Sequence, residues 1–196
     1  LKLNMKKCEV IAANAKGKRD VVKFPDGQPV KKVTAATYLG GQLRQDGAAK
    51  PEVESRLGKA ATVFRTLTPL WQSNCDTRWK LQVCNAVVFS VLTYGLETLP
   101  FTKSLNDRVD YFQAKCYRYI LRIQAAFYSQ VSNKEVLDRV SVALYQERGK
   151  TQQISKKIAD KATTLLGHII RSDEKDHSRK VAIDAEYDIR SAAQRN

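Results

Sequence analysis

The hydrophobic period of this chain changes once, at Pro51, and that change decides what each side of it can become. Before Pro51, apolar residues come in short runs bounded by turn formers. Val21-Val22-Lys23-Phe24 and Lys32-Val33-Thr34 flank Pro25-Asp26-Gly27-Gln28-Pro29, where Asp-Gly between prolines is turn chemistry. Tyr38-Leu39-Gly40-Gly41-Gln42-Leu43 follows, then a second turn at Asp46-Gly47. The expectation for residues 1–50 is a small antiparallel β unit. After Pro51, the residues Val53, Leu57, Ala60, Phe64, Leu67 and Trp71 recur at helical spacing, one face of a single long helix. Pro51 suits a first helical position, and Glu52 and Glu54 suit the positive end of the helix dipole.

The helical pattern continues to the C-terminal region. Asn74 or Asp76 can cap a second helix running to about Thr98, apolar nearly all round between Val83 and Tyr94 and ended by Pro100. Ser104 can cap a third, with Leu105, Val109, Phe112, Cys116, Tyr119 and Ile123 on its apolar face. Three such helices with short links pack naturally as an antiparallel bundle. A short helix from Asn133 to Val140 and a long one from about Tyr145 to Arg171 follow, the latter with Ile154, Ile158, Leu165 and Ile169 as its stripe. Val181 to Arg195 is a last, weak helical pattern in a polar tail. The fold class is therefore mainly α with a small antiparallel β unit at the N-terminus. The expected divisions are 1–50, a three-helix bundle at 51–125, and a helical region with a polar tail at 126–196.

Composition enters through charge. The chain carries a net +14, and residues 1–50 hold 11 Lys or Arg against 4 acids, half of that excess. An import peptide would also be basic, but it would be acid-poor and helical, whereas Cys8-Glu9-Val10-Ile11 is β-like. The excess suits a polyanionic partner, with solubility as the plain alternative. No run approaches the roughly 18 apolar residues of a membrane span. Cys8, Cys75, Cys84 and Cys116 form no paired motif and read as reduced, buried thiols, which suits a reducing compartment. His168 and His177 have no cysteine nearby, and Asp173, Glu174 and Asp176 sit in a basic polar stretch, so neither a metal nor another cofactor is expected. No phosphate-binding glycine loop, nucleophile elbow or adjacent pair of aspartates occurs.

Two stripes could carry binding. Arg108, Tyr111, Lys115, Arg118 and Arg122 fall on one face of the third helix, opposite its apolar side. Cations one turn apart with an aromatic among them can follow a phosphate backbone and stack on a base or sugar. An ordinary solvated helix face is the alternative, with only Asp107 and Asp110 diluting the row. Lys150, Lys157 and Lys161, with His168 beyond them, make a weaker stripe on the long helix.

Several short patterns resemble, in order, the region after the active site of non-LTR retrotransposon reverse transcriptases. Leu3-Asn4-Met5-Lys6-Lys7-Cys8-Glu9 is similar to the segment following their catalytic aspartates, and Tyr38-Leu39-Gly40-Gly41 to their primer-grip hairpin. Arg56-Leu57-Gly58-Lys59-Ala60 resembles their first thumb helix, and Leu92-Thr93-Tyr94-Gly95-Leu96-Glu97-Thr98 the next. Cys116-Tyr117-Arg118-Tyr119-Ile120-Leu121, Val131-Ser132-Asn133-Lys134-Glu135-Val136 and Leu166-Gly167-His168-Ile169-Ile170-Arg171 complete the series. Cys8 stands where the family usually has threonine, and Leu99 where tryptophan is frequent.

The resemblance implies a primer-grip-like hairpin at Tyr38, Leu39, Gly40 and Gly41, and three thumb helices that hold an RNA or RNA/DNA duplex by its backbone. The family's catalytic aspartates would lie upstream of Leu1, so the chain, which starts in mid-pattern, reads as a fragment or remnant without activity of its own. Its partners would then be nucleic acid and an upstream palm domain. The alternative is an RNA-binding or structural subunit recruited into a larger assembly such as an organellar ribosome. Nucleus or cytoplasm would suit the first reading, and mitochondria the second.

Overall fold

A computed structural model describes residues 4–12, 21–38, 40–173 and 179. Met5–Lys7 form one 3-10 turn, and four short strands follow: β1 Glu9–Val10, β2 Lys31–Lys32, β3 Ala35–Tyr38 and β4 Gly41–Arg44. β3 and β4 are an antiparallel hairpin in which Tyr38 faces Gly41. β1 and β2 instead pair in parallel, Glu9 beside Lys31, so the β unit is not antiparallel throughout. The turn at Pro25–Pro29 forms as its residues require: Gly27, at φ 84°, donates to the Phe24 carbonyl, and Lys23 bridges Pro29. At the second turn Asp46 accepts from the Ala48 amide and from Arg44, whose guanidinium holds the carboxyl below its ordinary range.

The helical body comprises α1 Lys50–Thr66, α2 Thr68–Gln72, α3 Thr77–Val83, α4 Phe89–Thr93, α5 Lys103–Ile120, α6 Ala126–Ser129, α7 Asn133–Tyr145 and α8 Ile154–Arg171. The first helix begins where the period changes but does not reach Trp71. Pro69 lacks an N–H and its ring meets the carbonyl one turn back, so the helix breaks at Leu67 and restarts as α2. Trp71 then folds back to donate to the Phe64 carbonyl at 2.8 Å. α3 runs into α4 through a π turn, Cys84–Val88, where Asn85 accepts from the Tyr117 hydroxyl at 2.7 Å. α4 ends at Thr93 rather than near Thr98, because Tyr94 is extended and Gly95 sits at φ 73°. A 3-10 turn, Leu96–Thr98, follows.

Thr102, not Ser104, caps α5: its hydroxyl accepts from the Leu105 amide. Tyr119, expected on the apolar face, is exposed, and Tyr117 is the buried tyrosine, its hydroxyl pKa raised chiefly by burial. Ser132 caps α7, which runs to Tyr145, past the expected end at Val140. The long helix expected from Tyr145 starts only at Ile154, because Gln146 at φ 59° and Gly149 at φ 77° turn the chain. The weak helix expected at 181–195 lies outside the described residues.

α1, the α3–α4 run and α5 pack pairwise, and α7 and α8 pack on α5. Their buried residues form one cluster from Ala49 to Ile158, with Leu81, Val88, Leu92, Val109, Val136 and Val140 among its fully enclosed members. All four cysteines are free thiols. Cys84 and Cys116 are buried in this core, and the neighbouring Cys116 thiol and burial push the Cys84 thiol up. Cys75 is exposed and Cys8 half-buried, against the expectation that all four are enclosed. Among the described residues no helix is long and apolar enough to cross a membrane.

Candidate nucleic-acid interface

Because α5 buries Leu105, Val109 and Cys116, the positions opposite face solvent. Arg108, Tyr111 and Lys115 are all exposed there, Tyr111 at 65%. They line a groove of about 820 Å³ between α1 and α5, floored by Leu57, Gly58 and Ala61. A Cβ at Gly58 would meet nothing within 4 Å, so the floor is open. Arg108 pairs with Glu54 at 3.2 Å, but both are half-exposed, and such a pair contributes only about 0–1 kcal/mol, little against an incoming phosphate. Asp110, which dilutes the row in sequence, turns to the other side. It accepts from the Ser155 amide at 2.9 Å and the Ser155 hydroxyl at 2.6 Å, capping α8.

Arg118 does not belong to the exposed row. It is 8% exposed, and its guanidinium donates to the Gln124 and Val131 carbonyls, to Asn133 Oδ1 and to Ser129 Oγ. The chain turns past α5 at Arg122, which is exposed but in the left-handed region at φ 55°. The lysine stripe is divided as well. Lys150 lies in the loop before α8, paired with Glu147 at 2.6 Å. Lys157 is half-buried, and burial, then the charge of Lys161, lowers its pKa. Lys161 is exposed and lines a second groove, of about 640 Å³, together with Tyr38, Leu43 and Tyr94.

That second groove lies against the β3–β4 hairpin. Arg56 donates to Glu52 at 2.7 Å and to the Gly40 carbonyl at 2.7 Å, and stacks on Tyr94 at 4.8 Å. Glu52 also accepts from the Gln42 amide at 2.9 Å. A buried ion pair on α1 thus fastens both sides of the hairpin turn. Tyr38 is 65% exposed, and Gly40 is required by its φ of 81°. Gly41 has no such requirement, since a Cβ there would meet nothing closer than 3.6 Å. Leu39 lies outside the described residues. The two grooves flank α1, one on its Arg56 side and one on its Gly58 side.

No family model matches the chain, and no solved structure matches it. Over 86 residues it is 29% identical to an uncharacterized transposon-derived protein of Caenorhabditis elegans. That match covers 44% of this chain and 31% of the relative, so the chain spans under a third of that protein. The similarity points to a transposon origin.

Among the described residues no group of three or more His, Cys, Asp or Glu could hold a metal ion. His177, Glu174 and Asp176 lie outside them. Sequence reasoning missed the Glu52–Arg56 fastening, although an acid four residues before an arginine on a helix is a legible pair. It also missed Phe127 and Tyr128 on α6, 82% and 75% exposed. The signal was there: two adjacent aromatics in a stretch with no helical stripe.

Proposed function

We propose that the chain is a nucleic-acid-binding segment derived from the reverse transcriptase of a non-LTR retrotransposon, holding RNA or RNA/DNA duplex without catalysing synthesis itself. The observation that carries this reading is the α1–α5 groove, open at its floor and rimmed by Arg108 and Lys115 with Tyr111 between them. Phosphates need cations at turn spacing, and Asp110 is drawn off to cap α8, while Asp107 on the rim and Glu54, paired with Arg108, are the acids the cations must outweigh. The motif order supports the family, and the transposon-derived relative supports the origin. The hairpin at Tyr38–Gly41 is the matching primer-grip element, held by Arg56. Leu165, Leu166 and Ile170, exposed on α8, favour a second reading in which the segment also docks on another polypeptide.

The test is the Arg108→Gln/Lys115→Gln variant against a short RNA/DNA hybrid across a salt series. Losing two phosphate contacts flattens the log–log salt plot by about 2 units, from a slope near −0.9 per neutralised phosphate. An unchanged affinity and slope, with the helical signal intact, would make the row a solvated face.

A further inference from the structure

We infer that the far end of α5 carries a second site, a stacking platform for the unpaired bases of single-stranded nucleic acid, made by Phe127 and Tyr128 on the segment that follows Arg122. It lies past the end of the duplex groove, whose last lining residue on α5, Lys115, is roughly 7–8 Å from Ile120 at 1.5 Å per residue.

The two rings project from a segment that is held in place. Arg118 fixes its ends through the Gln124 and Val131 carbonyls. Ser129 Oγ donates to the Gln124 and Ala125 carbonyls, and Gln130 Nε2 donates to the Phe127 carbonyl at 2.8 Å. On this fastened support, Phe127 and Tyr128 stand edge to face, centroids 5.4 Å apart and planes at 85°, with most of their surface in solvent. Large apolar side chains held outward in one geometry mark a contact surface.

The neighbours say what kind. A depression of about 370 Å³ lies at the end of α5, lined by Gln72, Tyr119, Arg122 and Gln124, with Trp71 below. Arg118 borders the same depression and fastens the aromatic segment, so the two features are joined through one side chain. Apart from Ile123, the surroundings are rings, amides and guanidinium groups. Residues 111–134 contain Lys115, Arg118, Arg122 and Lys134 and no Asp or Glu, and α2 contains no acid either. A ligand complementary to this surface has flat π faces, hydrogen-bonding edges and negative charge. An unpaired nucleotide has all three, and a stacked duplex hides its base faces.

The experiment uses the full chain, a labelled 12-nucleotide oligouridylate and a 12-base-pair RNA/DNA hybrid at one salt concentration. Phe127→Ala/Tyr128→Ala is expected to weaken oligouridylate binding on the order of ten-fold or more, leaving hybrid affinity and helical content unchanged. Phe127→Tyr/Tyr128→Phe, which keeps two rings, binds oligouridylate as the natural chain does. Unchanged oligouridylate binding by the double-alanine variant overturns the proposal. Equal loss on both probes also overturns it, since the rings then serve no separate site. A natural chain that binds hybrid but not oligouridylate overturns this inference alone. One that binds oligouridylate but not hybrid overturns only the duplex reading, and one that binds neither overturns both.

Discussion

Arg56, Lys80 and Arg118 are three cations drawn beneath the surface, 6%, 5% and 8% exposed. Each donates to backbone carbonyls of a turn that has no regular partner: Arg56 to Gly40, Lys80 to Trp71 and Ser73, Arg118 to Gln124 and Val131. Enclosing a charge costs free energy unless its donors are all taken up, and the planar guanidinium fork lets one arginine serve several carbonyls at once. For Arg118 this predicts a structural effect. Arg118→Met leaves buried carbonyls without donors and lowers stability by about 2–4 kcal/mol, read as a shifted midpoint in urea unfolding. Arg118→Lys recovers only part, because an ammonium does not reach all four acceptors together. A variant of unchanged stability but flattened salt dependence would return Arg118 to the phosphate-binding row.

At the scale of elements, the period change at Pro51 was legible because strand and helix bury different residue sets, and α1 begins at Lys50. The breaks inside helical stretches were not. Apolar positions are needed on both sides of a break, so periodicity runs through Leu67 and through Gln146–Gln153 as though nothing interrupts it. Pro69 was the readable sign at the first; the second had Gly149 as a readable sign but rests also on Gln146, a left-handed glutamine that no propensity foretells. The exposed row was legible in Arg108, Tyr111 and Lys115, since spacing fixes the angle around a helix. Spacing does not say what covers that angle, and the segment after α5 folds over Arg118. Nor does it show that α5 organises α8: Gln113 accepts from the Ile154 amide and donates to the Gln152 carbonyl, beside the Asp110 cap. Asp110→Ala is therefore expected to cost about 1 kcal/mol and to speed hydrogen exchange in the first turn of α8, while α5 keeps its protection. Exchange rates that rise equally along both helices would count against this directed capping.

Across the whole molecule, the core passes through position 125 without interruption. Val136, Val140, Leu144, Ile154 and Ile158, all C-terminal to it, are buried in the same cluster as Leu105, Val109 and Cys116. Enclosing one such aliphatic side chain contributes about 1.5–3 kcal/mol, so five contribute roughly 7–15 kcal/mol. That equals the whole net stability typical of a domain, about 5–15 kcal/mol. Separating α7 and α8 from the bundle would therefore expose apolar surface worth as much, before entropy, as the margin that keeps a domain folded, and the helical body should melt as one unit. In urea, far-ultraviolet circular dichroism, which follows all the helices, should coincide with tryptophan fluorescence, which comes from Trp71, buried beside Phe64, and Trp79 on α3, both in the N-terminal part of that body. Two separated transitions, with part of the helical signal outlasting the tryptophan change, would show residues 126–171 to be a unit of their own. Coincidence would have a functional meaning. The proposed duplex groove runs along α5 from Lys103 to Lys115 and the aromatic pair lies beyond the helix's C-terminal end, so a body that does not come apart holds the two proposed sites at a fixed spacing.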